Sequence, residues 1–379
     1  MSVKLNEPSL PRIKLEELEK NKSIVVSKGK QLPKEYKNNG NIKVIGAGQK
    51  SPYFSSHANY EGSTITISSS GAYAGYVWLH DYPIWASDCT VVKVNKKVDF
   101  SDFYHFLKSR QELIYSFQSG AGQPHVYWKN VKTIEMPFPS LSKQIEIAKT
   151  LDKAKQLIEL RKTSIKKLDQ LSQSIFMDMF GDPVENINGW DVVSLGTVIK
   201  IDAPMVEPNI EEYENLIHIG PDRIEKNTGK LLPALTAREE GLISKKFLFN
   251  ENYILYSKIR PYLNKVAMVN FVGLCSADMY PIRPIADKTN KEYIWQLLLS
   301  SYFLQYTETL PDRASIPKLN RKELANFEFP LAPFKLQVEF AKLIQKIKEQ
   351  KSFYEEELTK LQENLDALLA QSFEDKGQL

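Results

Sequence analysis

Laid against itself at an offset of 193, this chain of 379 residues repeats: residues 135–182 fall on 328–375 without a gap. Twelve of those 48 positions are identical, among them Pro137/Pro330, Gln144/Gln337, Lys155/Lys348, Leu168/Leu361 and Phe180/Phe373. A repeat of this kind constrains the architecture first, because each copy must find the same kind of surroundings. The apolar spacing says what the copies are. In the second, Phe340, Ile344, Ile347, Tyr354, Leu358, Leu361, Leu365 and Leu368 follow steps of four and three. In the first, Ile147, Leu151, Ala154, Ile158, Ile165, Leu168 and Ile175 hold the same register. A sustained heptad-like period predicts a long helix buried along one stripe against another helix. Each runs about 40 residues, a rod of about 60 Å. Pro139 and Pro333 stand just ahead of the rods, and Gly181-Asp182-Pro183 stops the first. Arg161, Ser172 and Lys351 fill seam slots at different heights, where an antiparallel partner would help fix register. Two unrelated arms, each with its own partner, would not explain the shared register.

About 140 residues of another texture precede each helix. Lys43–Ile45, Ser63–Ser68, Tyr76–Leu79 and Thr90–Val94 read as short strands, rich in β-branched and aromatic residues. Leu216–Ile219, Tyr253–Tyr256, Lys265–Val269 and Met279–Arg283 read the same way in the second half. Near the end of each half the pattern predicts a helix, Ser101–Phe117 and Lys291–Tyr306. Val44-Ile45-Gly46 against His218-Ile219-Gly220, and Ser87-Asp88 against Ala277-Asp278, extend the repeat more loosely. The expected fold is α+β, two mixed heads alternating with two long helices in a pseudo-twofold repeat. Its bounds are 1–138, 139–182, 183–330 and 331–379. Helices kept alike while the heads diverge suggest a fixed scaffold presenting two readers to one asymmetric linear ligand. Duplex DNA fits, since one helical turn spans about 34–36 Å.

Composition narrows the rest. At this length two domains are expected, and 42% hydrophobic with 25% charged residues excludes wholesale disorder. No apolar run reaches membrane-span length and Met1-Ser2-Val3-Lys4 opens no signal-peptide core. Cys89 and Cys275 cannot make a disulfide framework. A cytoplasmic protein is expected. The net charge is +4, and residues 1–138 carry 18 basic against 12 acidic groups, whereas 183–330 carry 17 against 19. Charge permits a polyanion in the first head and does not require one in the second.

Catalytic motifs are missing from the pattern. Gly46-Ala47-Gly48-Gln49-Lys50-Ser51 lacks the Gly before Lys that a phosphate loop needs, and Pro52 follows. Glu349-Gln350-Lys351 has nuclease-like spacing but lies on a coiled-coil seam. His57, His80, His105, His125 and His218 show no zinc spacing. No methyl-donor loop or Asp/Asn-Pro-Pro-aromatic run stands out, so no methyltransferase site assembles.

Several runs carry a resemblance over nearly the whole chain. They are Gly120-Ala121-Gly122-Gln123-Pro124-His125-Val126-Tyr127, Met136-Pro137-Phe138-Pro139 leading through Gln144, Met179-Phe180-Gly181-Asp182-Pro183 with Gly189-Trp190, and Tyr256-Ser257-Lys258-Ile259-Arg260-Pro261-Tyr262-Leu263-Asn264-Lys265. In these the sequence resembles the specificity subunit of type I restriction–modification systems. The resemblance implies two target recognition domains, each reading half of a split DNA site. It implies an antiparallel coiled coil that sets their spacing and docks two modification subunits, with restriction subunits as an optional addition. S-adenosylmethionine, ATP and Mg²⁺ would then sit on those partners, and this chain would be non-catalytic. The pattern departs at Pro311-Asp312-Arg313-Ala314-Ser315-Ile316-Pro317, which replaces the Gly-Gln-Pro-His-Val run.

Base edges are read by bidentate side chains and phosphates by cations, hydroxyls and amides. In the first head the candidates are Gln49, Lys50, Tyr53, Ser69, Ser70, Tyr73, Gln123, His125 and Lys129, in Gly-rich loops beside strands. In the second, Ser257, Lys258, Arg260, Tyr262 and Lys265 form a local basic patch with no acid among them. Arg223, Lys226, Thr228, Arg238 and Arg313 are weaker. Each could equally be an ordinary loop residue, and His125 a structural histidine. The rival readings are a stand-alone nuclease or methyltransferase, and a coiled-coil adaptor that never touches DNA.

Overall fold

Leu141–Phe180 and Phe334–Phe373 each form one unbroken helix of 40 residues. The structure, a computed structural model, describes residues 10–310 and 317–374. The chain divides into two units, one drawn from Met1–Arg161 and Glu357–Leu379, the other from Lys162–Glu356. Each unit therefore holds one head, the opening half of the helix that follows it, and the closing half of the other helix. Within the units, residue numbers rise along one helix as they fall along the other. Arg161 meets Glu357 at 3.1 Å, Asp169 meets Lys351 at 2.5 Å, and the rings of Phe180 and Phe340 lie 5.2 Å apart. That is antiparallel pairing, and the two basic slots of the seam each face a carboxylate. Ser172 is buried and its hydroxyl donates to the Leu168 carbonyl of its own helix. Ile147, Leu151, Ile158, Phe340 and Ile344 are buried, while Ala154, Ile165, Leu168, Ile175, Ile347, Tyr354, Leu358, Leu361, Leu365 and Leu368 are half-buried.

The two heads share one four-stranded sheet order, while their second sheets differ, with three strands in the first head and four in the second. In the first, a four-stranded antiparallel sheet runs Ile24–Lys28, Cys89–Val94, Thr64–Ser68, Val77–His80. In the second, the order is Ile199–Lys200, Met279–Pro284, Ile254–Ser257, Val266–Met268. A second sheet in each contains one parallel pair, Val44 beside Trp85 with Ile45 beside Ala86, and His218 beside Leu274 with Ile219 beside Cys275. The continuation also matches, since Ser87 N–H donates to Ile45 at 2.8 Å and Ser276 N–H to Ile219 at 3.1 Å. Two short ladders, Arg12–Lys14 with Glu135–Pro137 and Val192–Ser194 with Glu328–Pro330, tie the start of each head to the strand before its helix.

The repeated glutamine is the joint between head and rod. Gln144 is buried; its Oε1 accepts from the Asp99 backbone N–H at 2.9 Å and its Nε2 donates to the Pro139 carbonyl at 2.9 Å. Gln337, also buried, accepts from the Thr289 hydroxyl at 2.8 Å and donates to the Ala332 carbonyl at 2.8 Å. An unsatisfied buried donor or acceptor costs about 1–3 kcal/mol. Gln144→Ala should therefore lower stability by about 1–3 kcal/mol in urea titration, and Gln337→Ala likewise; a loss under about 0.5 kcal/mol would show that the bonds are replaced by water.

The helix expected at Ser101–Phe117 is two, Phe100–Ser109 and Gln111–Ser116, interrupted at Arg110 with ψ 18°. Lys291–Leu299 and Ser301–Glu308 replace the helix expected at Lys291–Tyr306. There Ser300 turns extended, ψ 155°, and its hydroxyl accepts from Phe303 N–H at 3.2 Å, so the new cap competes with continuation.

Candidate nucleic-acid interface

Three loops of the first head converge. The loop after Ile45 touches the turn after Ser68, where Ser68 donates its hydroxyl to the Gly46 carbonyl at 3.3 Å. The run Ser119–Val126 folds onto the same turn: Gly71 N–H donates to Pro124 at 2.9 Å and Val126 N–H to Ser69 at 3.1 Å. Gly71 has φ +81°, a left-handed conformation that glycine adopts without a Cβ penalty. Gln49, Lys50, Tyr53, Tyr73, Gln123 and Lys129 are exposed, and Ser69 and His125 are half-buried. Ser70 is buried; its hydroxyl donates to the Asp88 carboxylate and receives the Gln123 amide at 3.3 Å. It thus places two neighbours and offers no free surface of its own. The His125 and Tyr127 rings stack 5.9 Å apart, with Lys129 Nζ 5.4 Å from the Tyr127 ring, and Lys37 Nζ sits 4.3 Å from the Tyr53 ring. Cations leaning on exposed aromatic faces present charge and a stacking plane together. Asp88 and Tyr127, both exposed, join this surface although they are not among the residues expected from the sequence. An acidic acceptor suits cytosine N4.

In the second head, Asn227 N–H donates to the Asn264 carbonyl at 3.1 Å and Lys265 Nζ to Pro221 at 2.6 Å, joining the loop around Arg223–Thr228 to the turn at Arg260–Asn264. Arg260 and Tyr262 are exposed, as is Lys226. Other candidates are engaged. Ser257 is buried and donates to the Ile259 carbonyl at 3.0 Å; Thr228 donates to Glu225 at 2.6 Å. Arg223 lies 3.1 Å from Asp222 and donates to Pro233 at 2.9 Å, and Arg238 pairs with Glu214. The basic patch is not acid-free in space, because Asp278 stands 3.7 Å from Lys258, whose Nζ also donates to Ala277 at 2.6 Å. The neighbouring turn that supplies this acid is twenty residues away in sequence and invisible to a local count. Arg313 lies outside the described residues.

Among the described residues no group of three or more His, Cys, Asp or Glu is placed to hold a metal ion, and no helix is long and apolar enough to cross a membrane. Both cysteines are buried free thiols; burial pushes Cys89 up to about 12 and raises Cys275 also, so neither is a thiolate near neutral pH.

The family described as type I restriction modification DNA specificity domain matches twice, over residues 16–170 and 187–363. The chain is 25% identical over 322 residues to the type I restriction enzyme EcoDI specificity subunit of Escherichia coli, covering 76% of this chain and 71% of that one. It is 23% identical over 332 residues to the type I restriction enzyme MjaIX specificity subunit of Methanocaldococcus jannaschii, covering 81% and 76%. Among solved structures, the type I restriction–modification S subunit from M. genitalium shares the fold, with TM-score 0.66 and 18% identity over 99% of this chain and 98% of that one. A chain from a structural study of assembly and conformational transition of the type I R-M system gives TM-score 0.53 and 16% identity over 97% and 98%. The family is a non-catalytic DNA-recognition subunit, which disfavours both the stand-alone enzyme and the adaptor that never touches DNA. With one family match on each half of the repeat, the chain belongs to the type I restriction–modification DNA specificity subunits.

Proposed function

We propose that each head reads one half of a split duplex site, with residues 1–138 and 183–330 as the two readers and 139–182 and 331–379 as the rods between them. The observation that carries this is the repeat itself: one four-stranded sheet order and one turn geometry occur twice, while residues beside the turns differ, Gly71 against Arg260 and His125 against Lys318. Gln49, Lys50, Tyr53, Tyr73, Gln123, His125 and Lys129 form the first reading surface, and Lys226, Arg260 and Tyr262 the exposed part of the second. The rods dock two modification subunits, and restriction subunits where these are present, in the cytoplasm. In support, Leu157 and Leu160 of the first unit, and Leu171, Met177, Leu343 and Phe353 of the second, are left exposed on the helices. As a specificity subunit the chain carries no catalytic cofactor; S-adenosylmethionine, ATP and Mg²⁺ belong to the partners. Binding of the full chain with its modification partner to duplex DNA should weaken steeply with salt. Lys50→Ala and Lys129→Ala should each flatten the log–log slope by about one, without moving the preferred sequence. Affinity indifferent to salt would refute the phosphate-contacting surface.

A further inference from the structure

The second head repeats a loop crossing of the first head that the broken sequence motif conceals. In the first head, Ser68 N–H donates to Tyr76 at 3.0 Å and Ser69 N–H to Asp88 at 3.2 Å. In the second, Ser257 N–H donates to Lys265 at 3.0 Å and Lys258 N–H to Asp278 at 3.0 Å. The turns between are alike: Gly71 and Gly75 have φ +81° and +95°, while Arg260 and Asn264 have +49° and +45°. Ala74 N–H closes onto Gly71, and Leu263 N–H onto Arg260, each at 2.9 Å. Each turn leaves a tyrosine at its tip, Tyr73 46% and Tyr262 51% exposed.

The strand that crosses each turn then pairs residue by residue. Gly71 N–H donates to Pro124 at 2.9 Å, and Arg260 N–H to Pro317 at 2.8 Å. Val126 N–H donates to Ser69 at 3.1 Å, and Leu319 N–H to Lys258 at 2.8 Å. Val126 and Leu319 are both buried, and a short helix follows each, Trp128–Val131 and Arg321–Ala325. Ser70 bridges His125, and Ile259 bridges Lys318. Pro317 thus keeps the place of Pro124 although the residues before it differ, and the residue at His125's position is Lys318, whose side chain is exposed.

We propose that Lys318 is the second head's specificity position, donating to an acceptor edge of the half-site in the major groove. The chemistry follows from the side chain. A lysine only donates, and guanine, with O6 and N7 acceptors side by side, is its preferred base; one such contact is worth roughly 5- to 100-fold in discrimination. Residues that the two turns share, Tyr73 and Tyr262, suit features common to both half-sites, whereas His125 and Lys318 differ and so distinguish them. The inference rests on the bipartite reading above.

The full chain, co-expressed with its modification subunit, is equilibrated with a randomised duplex pool, and bound sequences are compared for wild type, Lys318→Met, Lys318→Arg and His125→Ala. Lys318→Met should relax preference at one base pair of one half-site by roughly 5- to 100-fold, with the other half-site unchanged and Lys318→Arg retaining most of the preference. His125→Ala should act on the opposite half-site. If Lys318→Met weakens all sequences alike, or changes nothing while His125→Ala shifts its half-site, Lys318 is not a specificity position and the bipartite reading stands. If the wild-type complex selects no split motif, the bipartite reading fails and this inference with it. Unchanged melting temperature of each variant keeps the comparison free of unfolding.

Discussion

Phe373→Ala should cost the protein about 3–5 kcal/mol, the range for truncating a buried phenylalanine that leaves a cavity. The ring is 1% exposed and sits in the first unit's core with Leu15, Ile147, Leu151 and Phe106, 5.7 Å edge-on from the Phe106 ring. Arg110 Nη2 donates to the Phe373 carbonyl at 2.6 Å, satisfying one of the last orphan acceptors of the helix. The closing turn of the second long helix is thus part of the first head's core. Its repeat partner, Phe180, closes the first helix in the second unit, 4.8 Å from Tyr293 and 5.2 Å from Phe340. Hydrogen exchange should show protection lost across Thr64–His80 and Phe100–Ser109 in Phe373→Ala while Ile254–Met268 stays protected. Phe373→Leu, which fills most of the volume, should lose less than half as much. A loss under about 1 kcal/mol, far below the cost of a core cavity, would show that the helix end does not dock in this core.

Asp102→Asn should stabilise the protein at pH 8 by about 2–4 kcal/mol and do so far less at pH 4. Asp102 is 1% exposed and neither carboxylate oxygen has a hydrogen-bond partner. Burial, with the charge of Asp99 adding to it, pushes its pKa from 3.8 up to about 7. The folded state therefore binds a proton that the unfolded chain has released, between about pH 4 and pH 7. Stability must fall as pH rises through that window, and above it a bare carboxylate stays buried at full cost. Asparagine keeps the shape and removes the charge. Urea midpoints of both proteins at pH 4 and pH 8 test this, and equal destabilisation by the variant at both values would contradict it.

The rods were legible because their signal is redundant: identity, period and flanking prolines all agree over 40 positions, and tertiary packing only reinforces them. Antiparallel pairing is what the family resemblance implies, and the acids that meet Arg161 and Lys351 across the seam, Glu357 and Asp169, emerge only in the structure. The head strands were legible where β-branched residues cluster, but Arg12–Lys14 and Val192–Ser194 are three-residue strands held by their partners and leave no pattern. The interruptions at Arg110 and Ser300 were hidden because the apolar spacing runs on across them. At the loops, local composition misjudged what folding brings together. Ser257 reads as a surface hydroxyl and points inward, Lys258 reads as unpaired and faces Asp278, and Asp88 reads as part of the repeat while nothing local marks it as a neighbour of Ser70. Insertions change the repeat offset between heads and rods, so the correspondence of Tyr73 with Tyr262 emerges only from backbone hydrogen bonds.

Two dissimilar readers on one repeated scaffold make a demand on the DNA that can be read directly. Sequencing that maps methylated bases across a genome carrying this subunit with its modification partner should return one asymmetric motif, two short specified blocks separated by a fixed run of unspecified bases. A short uninterrupted palindrome, or two blocks at variable separation, would contradict the account.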